Sequence, residues 1–268
     1  MQEGSLIPRF GRARRDPSLA VLEGFHPLKH ALRFGAEVTE VVCRDLDALD
    51  ALAGRLAPDQ AARMHELARP VSPETFDQLA PLPPTTGVIA LARRPAVDVA
   101  ALLAVGSGAG GGERDHGRGH DRGQRPLVLL EDPRDLGNMG ACVRVAAAAD
   151  AAGVLTTGSH DPWAPDALRG AAGLHYALPV ARLDALDALG DPGARARPLL
   201  ALDPGGEPLA PRELPPRATL AFGTERYGLS EELLARADAR ISIPMRAGVS
   251  SLNLATSVAA VLFAWRLA

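Results

Sequence analysis

From residue 126 onward, short apolar runs alternate with segments of helical periodicity. The runs at 127–130, 154–156, 176–180, 199–202, 219–222 and 241–243 have the length of buried strands, and 139–149, 165–171, 183–189 and 231–237 read as helices between them. Apolar strands separated by helices predict a mostly parallel sheet with helices on both faces. The last helical run starts at Leu252 and is apolar almost all round through Leu254, Val258, Val261, Leu262 and Phe263. That pattern predicts a buried helix capped by Ser250 or Ser251. Asn253 stands out in its first turn, as an amide that needs a hydrogen-bond partner there.

The first third repeats the α/β pattern on a smaller scale. A helix at 27–34 opens with Pro27 and stops at Gly35, a strand follows at 38–43, and helices follow at 46–56 and 58–68. Ser72-Pro73-Glu74 opens another helix, and 87–92 reads as the closing strand. Between these halves, 107–123 is so rich in glycine and charge that it cannot bury enough apolar area to offset chain entropy. The resulting division is a basic flexible arm at 1–15, a small α/β domain at 16–98, a glycine-rich linker at 99–125 and a larger α/β domain at 126–268.

Composition narrows the function. A formal charge of -3 argues against a protein that coats nucleic acid nonspecifically, so any RNA contact should be local. Arg9, Arg12, Arg14 and Arg15 form one candidate patch, with a solvated tail as the alternative; His26, Lys29 and His30 form a second, which can equally face water. Cys43 and Cys142 are far apart and suggest no disulfide, and the N-terminus lacks a signal-peptide core. A cytoplasmic protein is expected. His116 and His120 have no matching ligands nearby, and no metal is expected.

Three loops at strand ends carry the candidate chemistry, where ligands of parallel α/β sheets bind. In Leu136-Gly-Asn-Met-Gly-Ala-Cys-Val-Arg144, the spacing puts Asn138 at a helix start and Arg144 more than one turn in. Arg144 has the planar fork of donors that suits a phosphate or ribose, or else a salt bridge. In Phe222-Gly-Thr-Glu-Arg-Tyr-Gly-Leu-Ser230, Gly223 permits close backbone approach by a ligand, Glu225 is a candidate acid, and Ser230 reads as a helix cap. The third loop is Ile243-Pro-Met-Arg-Ala-Gly-Val-Ser-Ser-Leu-Asn253, whose Ser251 and Asn253 are capping residues or site residues.

In this order, the three segments resemble the signature motifs of the SpoU (TrmH-like) RNA ribose methyltransferases of the SPOUT superfamily, and the resemblance covers about half the chain. It implies a C-terminal SPOUT-type sheet tied in a deep trefoil knot, preceded by an RNA-recognition domain that Leu22–Leu32 resembles more weakly. It implies S-adenosylmethionine as cofactor, held around Gly223, Ile243, Leu252, Met245 and Leu202, with Arg144, Asn138, Glu225, Ser251 and Asn253 as catalytic residues. It implies a homodimer, Arg144 serving the cofactor of its own or its partner's chain. The expected reaction is methylation of a ribose 2′-hydroxyl in structured RNA, ribosomal RNA being favoured over transfer RNA, with no DNA or membrane partner. The alternatives are a noncatalytic RNA-binding SPOUT protein and a SPOUT enzyme that methylates a base.

Overall fold

Along the chain the elements are α1 (Leu6–Ala13), β1 (Leu19–Glu23), α2 (Phe25–Arg33), β2 (Val38–Cys43), α3 (Leu46–Leu56), α4 (Ala61–Leu67), β3 (Ala68–Pro70), α5 (Pro73–Asp77) and β4 (Val88–Arg93). Then follow α6 (Val99–Ala104), β5 (Leu127–Leu130), α7 (Leu136–Ala148), β6 (Gly153–Thr156), α8 (Pro165–Gly170), β7 (Val180–Arg182), β8 (Leu199–Pro208), β9 (Thr219–Phe222), α9 (Glu231–Arg236), β10 (Ala239–Ser242) and α10 (Leu254–Leu267). The computed structural model describes residues 3–104, 124–224 and 227–268; the glycine-rich run at 107–123 and Glu225 lie outside the described residues. The chain forms two compact units, Met1–Ala96 with Trp163–Ala177, and Val97–Pro162 with Leu178–Ala268.

The first unit holds a four-stranded sheet in the order β1-β4-β2-β3, with β4 antiparallel to both of its neighbours and β3 parallel to β2. The residues expected to be a flexible arm are instead the helix α1. Leu6, Phe10 and Ala13 recur at helical spacing and are buried in a core with Val21, Val42, Phe76, Ile89 and Leu91. Arginines between those positions hide the stripe from a reading of composition.

The 126–268 domain is also corrected, because 163–177 joins the first unit. There Arg169 reaches the buried carboxylate of Glu23, which also takes Arg14 at 2.5 Å. Gly173, at φ 77°, sits where a Cβ would lie 2.6 Å from the Pro27 backbone. The strand expected at 176–180 is displaced for a related reason. Tyr176 packs edge-on against Trp163 and donates to the Arg93 carbonyl at 3.2 Å, so the strand begins only at Val180.

The second unit is a six-stranded sheet in the order β10-β8-β9-β5-β6-β7, in which every neighbouring pair is parallel. β5, β6 and β9 are buried along their whole length, as their unbroken apolar runs predict. The helix expected at 183–189 shrinks to a single 3-10 turn, Leu186–Leu189, since Leu183 stays extended with its N–H on the Thr156 carbonyl at 2.8 Å. The expected linker is cut short on both sides: Val99 and Leu102 of α6 pack on the core, and Arg125 is buried on Asp150.

α10 packs on α7 and buries Leu254, Val258, Val261 and Leu262. The expectation of burial all round is corrected, because Phe263 and Leu267 are exposed. Among the described residues, no helix is long and apolar enough to cross a membrane.

Candidate active site

Parallel strands in register bring three chain segments to one level at the carboxyl edge of the second unit's sheet. Leu130 of β5 and Leu202 of β8 both pair with Phe222 of β9, so Glu131 and Gly223 leave the sheet level with Asp203 of β8. Glu131 then clasps the neighbouring loop. Its carboxylate accepts from the Ser230 hydroxyl at 2.5 Å and the Ser230 N–H at 2.7 Å, while Ser230 caps α9 by accepting from Leu233 N–H.

The β9–α9 loop closes on itself through paired Thr224 and Gly228 backbone bonds of 3.0 and 2.9 Å. A Cβ on Gly223 would lie 2.0 Å from the Gly228 carbonyl carbon. The missing side chain makes room for the returning loop, and Gly223 also lines the cavity described below.

Two helix starts meet beside this loop. Asp135 caps α7 by accepting from Asn138 N–H at 2.7 Å, and Asn253 caps α10 by accepting from Thr256 N–H at 3.3 Å. The expected cap, Ser250 or Ser251, is thus replaced by Asn253, whose amide reaches the third residue onward while the serines stay in the loop. The other side of the Asn253 amide donates to Asn138 Oδ1 at 3.1 Å. This supplies the partner that the sequence demanded and joins the first motif to the third.

Between β8, the β9 loop and the third loop lies a cavity of about 330 Å³. Leu202, Gly223, Ile243, Met245 and Leu252, the residues expected around the cofactor, all line it, and so does Ser251, expected as a catalytic residue. Phe222, Leu254, Ser250, Ser257 and Asp203 also line it and were not expected there. Of these, Asp203 had a legible signal: it opens an Asp-Pro-Gly-Gly turn after a buried strand in a parallel sheet.

Asn138 and Asn253 meet each other without lining the cavity, and Arg144 does not line it. The Arg144 side chain is exposed on α7, and no ion pair holds it among the described residues. The salt-bridge alternative therefore has no partner within the described chain. Glu225 belongs to the residues outside the description.

The expected basic patches in the first unit are partly dismantled. Arg14 is committed to Glu23 and to the Leu79 carbonyl, and Arg9 pairs with Glu40 at 3.0 Å; Arg12 and Arg15 are exposed. His26 is exposed and Lys29 half-buried. His30 Nδ1 bonds the Ala172 carbonyl at 2.7 Å, and burial holds the ring's pKa below the usual histidine value.

A parallel sheet whose strand-end loops converge on a cavity lined by both apolar and polar groups is the arrangement in which α/β enzymes bind their ligands. The sequence profile of the SpoU rRNA Methylase family matches residues 125–263, and the chain belongs to that family. The 23S rRNA (adenosine(1067)-2'-O)-methyltransferase of Streptomyces azureus is 31% identical over 140 residues, 49% of this chain and 51% of that protein. The 23S rRNA (guanosine(2553)-2'-O)-methyltransferase RlmP of Bacillus subtilis is 32% identical over 149 residues, 52% of this chain and 57% of that one. The chain spans about half the length of the curated relatives it matches. Among solved structures, the SpoU methyltransferase AviRb of Streptomyces viridochromogenes, in complex with the cofactor AdoMet, shares the fold. Its TM-score is 0.70 at 21% identity, over 97% of both chains.

Proposed function

We propose that this chain transfers a methyl group from S-adenosylmethionine to a ribose 2′-hydroxyl of structured RNA, with ribosomal RNA as the substrate class. The observation that carries the reading is the single cavity on which Leu202, Gly223, Ile243, Met245, Ser251 and Leu252 converge, in a chain of the SpoU family. Relatives named as 23S rRNA 2'-O-methyltransferases support the reaction and substrate class, and a structural neighbour bound to AdoMet supports the cofactor.

The residues present fit that cofactor. The cavity falls in the range of about 300–1,000 Å³ usual for small-molecule sites. Leu202, Ile243, Met245 and Leu252 offer apolar walls for a purine, and the hydroxyls of Ser250, Ser251 and Ser257 offer polar contacts. When bound, S-adenosylmethionine supplies an electrophilic methyl group. The protein's own contribution is alignment and charge. Arg144, exposed and uncommitted within the described chain, holds the ribose and its phosphate and stabilises negative charge developing on the 2′-oxygen. A guanidinium is a poor proton acceptor, so it does not act as a literal base. Asn138 and Asn253 position the first turns of α7 and α10, and Glu225 is assigned to the same site by its place in the second motif alone.

The same reading takes the first unit as the RNA-recognition domain, with Arg12, Arg15, His26 and Lys29 among its basic contacts. It also includes the trefoil knot, a homodimer and action in the cytoplasm. Mapping 2′-O-methylation in total RNA with and without this gene tests it. One lost site that the purified protein restores with S-adenosylmethionine is the expected result; no lost site turns the reading to a noncatalytic RNA-binding protein.

A further inference from the structure

β8 and β10 pair in register at Ala201 and Arg240, and pairing resumes only at Glu207 and Ile241. Five residues of β8, 202–206, thus face no partner on β10 and bow out of the ladder. Leu202, Asp203 and Pro204, the first three of the five, line the cavity. Both ends of the bow are held. Asp203 Oδ1 accepts from Gly205 N–H at 2.8 Å, and Gly206 lies so close to β10 that a Cβ there would be 2.5 Å from the Arg240 carbonyl carbon. The device puts a carboxylate, the single charged group among the described residues lining the cavity, on an otherwise apolar and hydroxyl-bearing wall.

We infer that Asp203 accepts hydrogen bonds from the vicinal ribose hydroxyls of the adenosine moiety, and so selects a ribonucleoside cofactor. This rests on the cofactor reading above. A carboxylate is acceptor-only, so the ligand must present donors at this point. With Oδ1 engaged by Gly205, Asp203 still has acceptor capacity in Oδ2. Leu202, its neighbour in the chain, belongs to the apolar wall suited to the base, and the ribose is the part of the ligand bonded directly to that base. Carboxylates at strand ends of parallel sheets read nucleoside riboses by the same chemistry.

The test is calorimetric titration of the full chain and of Asp203→Asn and Asp203→Ala with S-adenosylhomocysteine, with 5′-methylthioadenosine and with 2′-deoxy-5′-methylthioadenosine. Asp203→Asn keeps an oxygen for the Gly205 amide and so preserves the bow. Its affinity for S-adenosylhomocysteine and for 5′-methylthioadenosine is expected to fall by about 10- to 100-fold, the weight of a charge-assisted hydrogen bond. The wild type's preference for the 2′-hydroxyl should largely vanish in both variants. Loss of affinity for S-adenosylhomocysteine alone, with 5′-methylthioadenosine unaffected, would assign Asp203 to the amino group and overturn the inference. Unchanged affinity for both ligands would overturn it as well. A wild type that binds neither ligand would instead sink the cofactor reading, and this inference with it.

Discussion

Asn138 and Arg144 share one helix but face different surroundings. Six residues turn a helix by about 240° net, so a pattern that places both in one motif cannot place both at one point. Asn138 turns toward Asn253, and Arg144 turns to the surface. Since Arg144 is exposed and no ion pair holds it among the described residues, Arg144→Ala should leave the thermal midpoint and the affinity for S-adenosylhomocysteine unchanged. Single-turnover methyl transfer should drop at least about 100-fold, the usual cost of removing a donor from a developing oxyanion. Full transfer activity in that variant would remove Arg144 from the mechanism. The residue type was legible because an arginine among small apolar neighbours has no structural task. What faces it was not. Gly223 shows the complementary limit: a glycine in a loop signals a close approach, yet that Gly228, five residues on, makes one was not legible.

Among the elements, those with a local signal were read nearly to the residue: β2, α3, β5 and β9 have apolar runs or caps within their own few residues. α1 was missed because its three buried positions are separated by arginines, and only the core that receives Phe10 reveals the stripe. The start of α10 was misplaced because three adjacent polar residues, Ser250, Ser251 and Asn253, compete to cap it. Asn253 does two jobs there, and a pair of substitutions separates them. Asn253→Ala should lose about 1 kcal/mol of stability with the cap. Asn253→Ser should recover most of that in urea unfolding, but its short side chain cannot reach Asn138, so transfer activity should stay low in both. Recovery of activity along with stability in the serine variant would show the link between the two asparagines to be idle.

At the scale of the whole molecule, several large apolar side chains of the second unit are exposed. Val249 is 48% exposed, Leu252 37%, Phe263 37% and Leu267 84%, all on the third loop and the helix it enters. The exposed Phe263 and Leu267 of α10 support the proposed homodimer, in which α10 would be covered on the face that α7 leaves open. Sedimentation should find a dimer for the natural chain and a monomer for Phe263→Glu combined with Leu267→Glu; a dimer that survives both charges would place the interface elsewhere. The sequence by itself determined the α/β class, the parallel sheet, the three strand-end loops and six of the fifteen described residues around the cavity, since periodicity, caps and turns act over a few residues. Only the tertiary structure decided that α1 belongs to a core, that 163–177 joins the first unit, that Asn138 meets Asn253 and that β8 bows Asp203 into the cavity. Those outcomes depend on contacts between residues tens to more than a hundred positions apart, and no local pattern encodes which of them will meet.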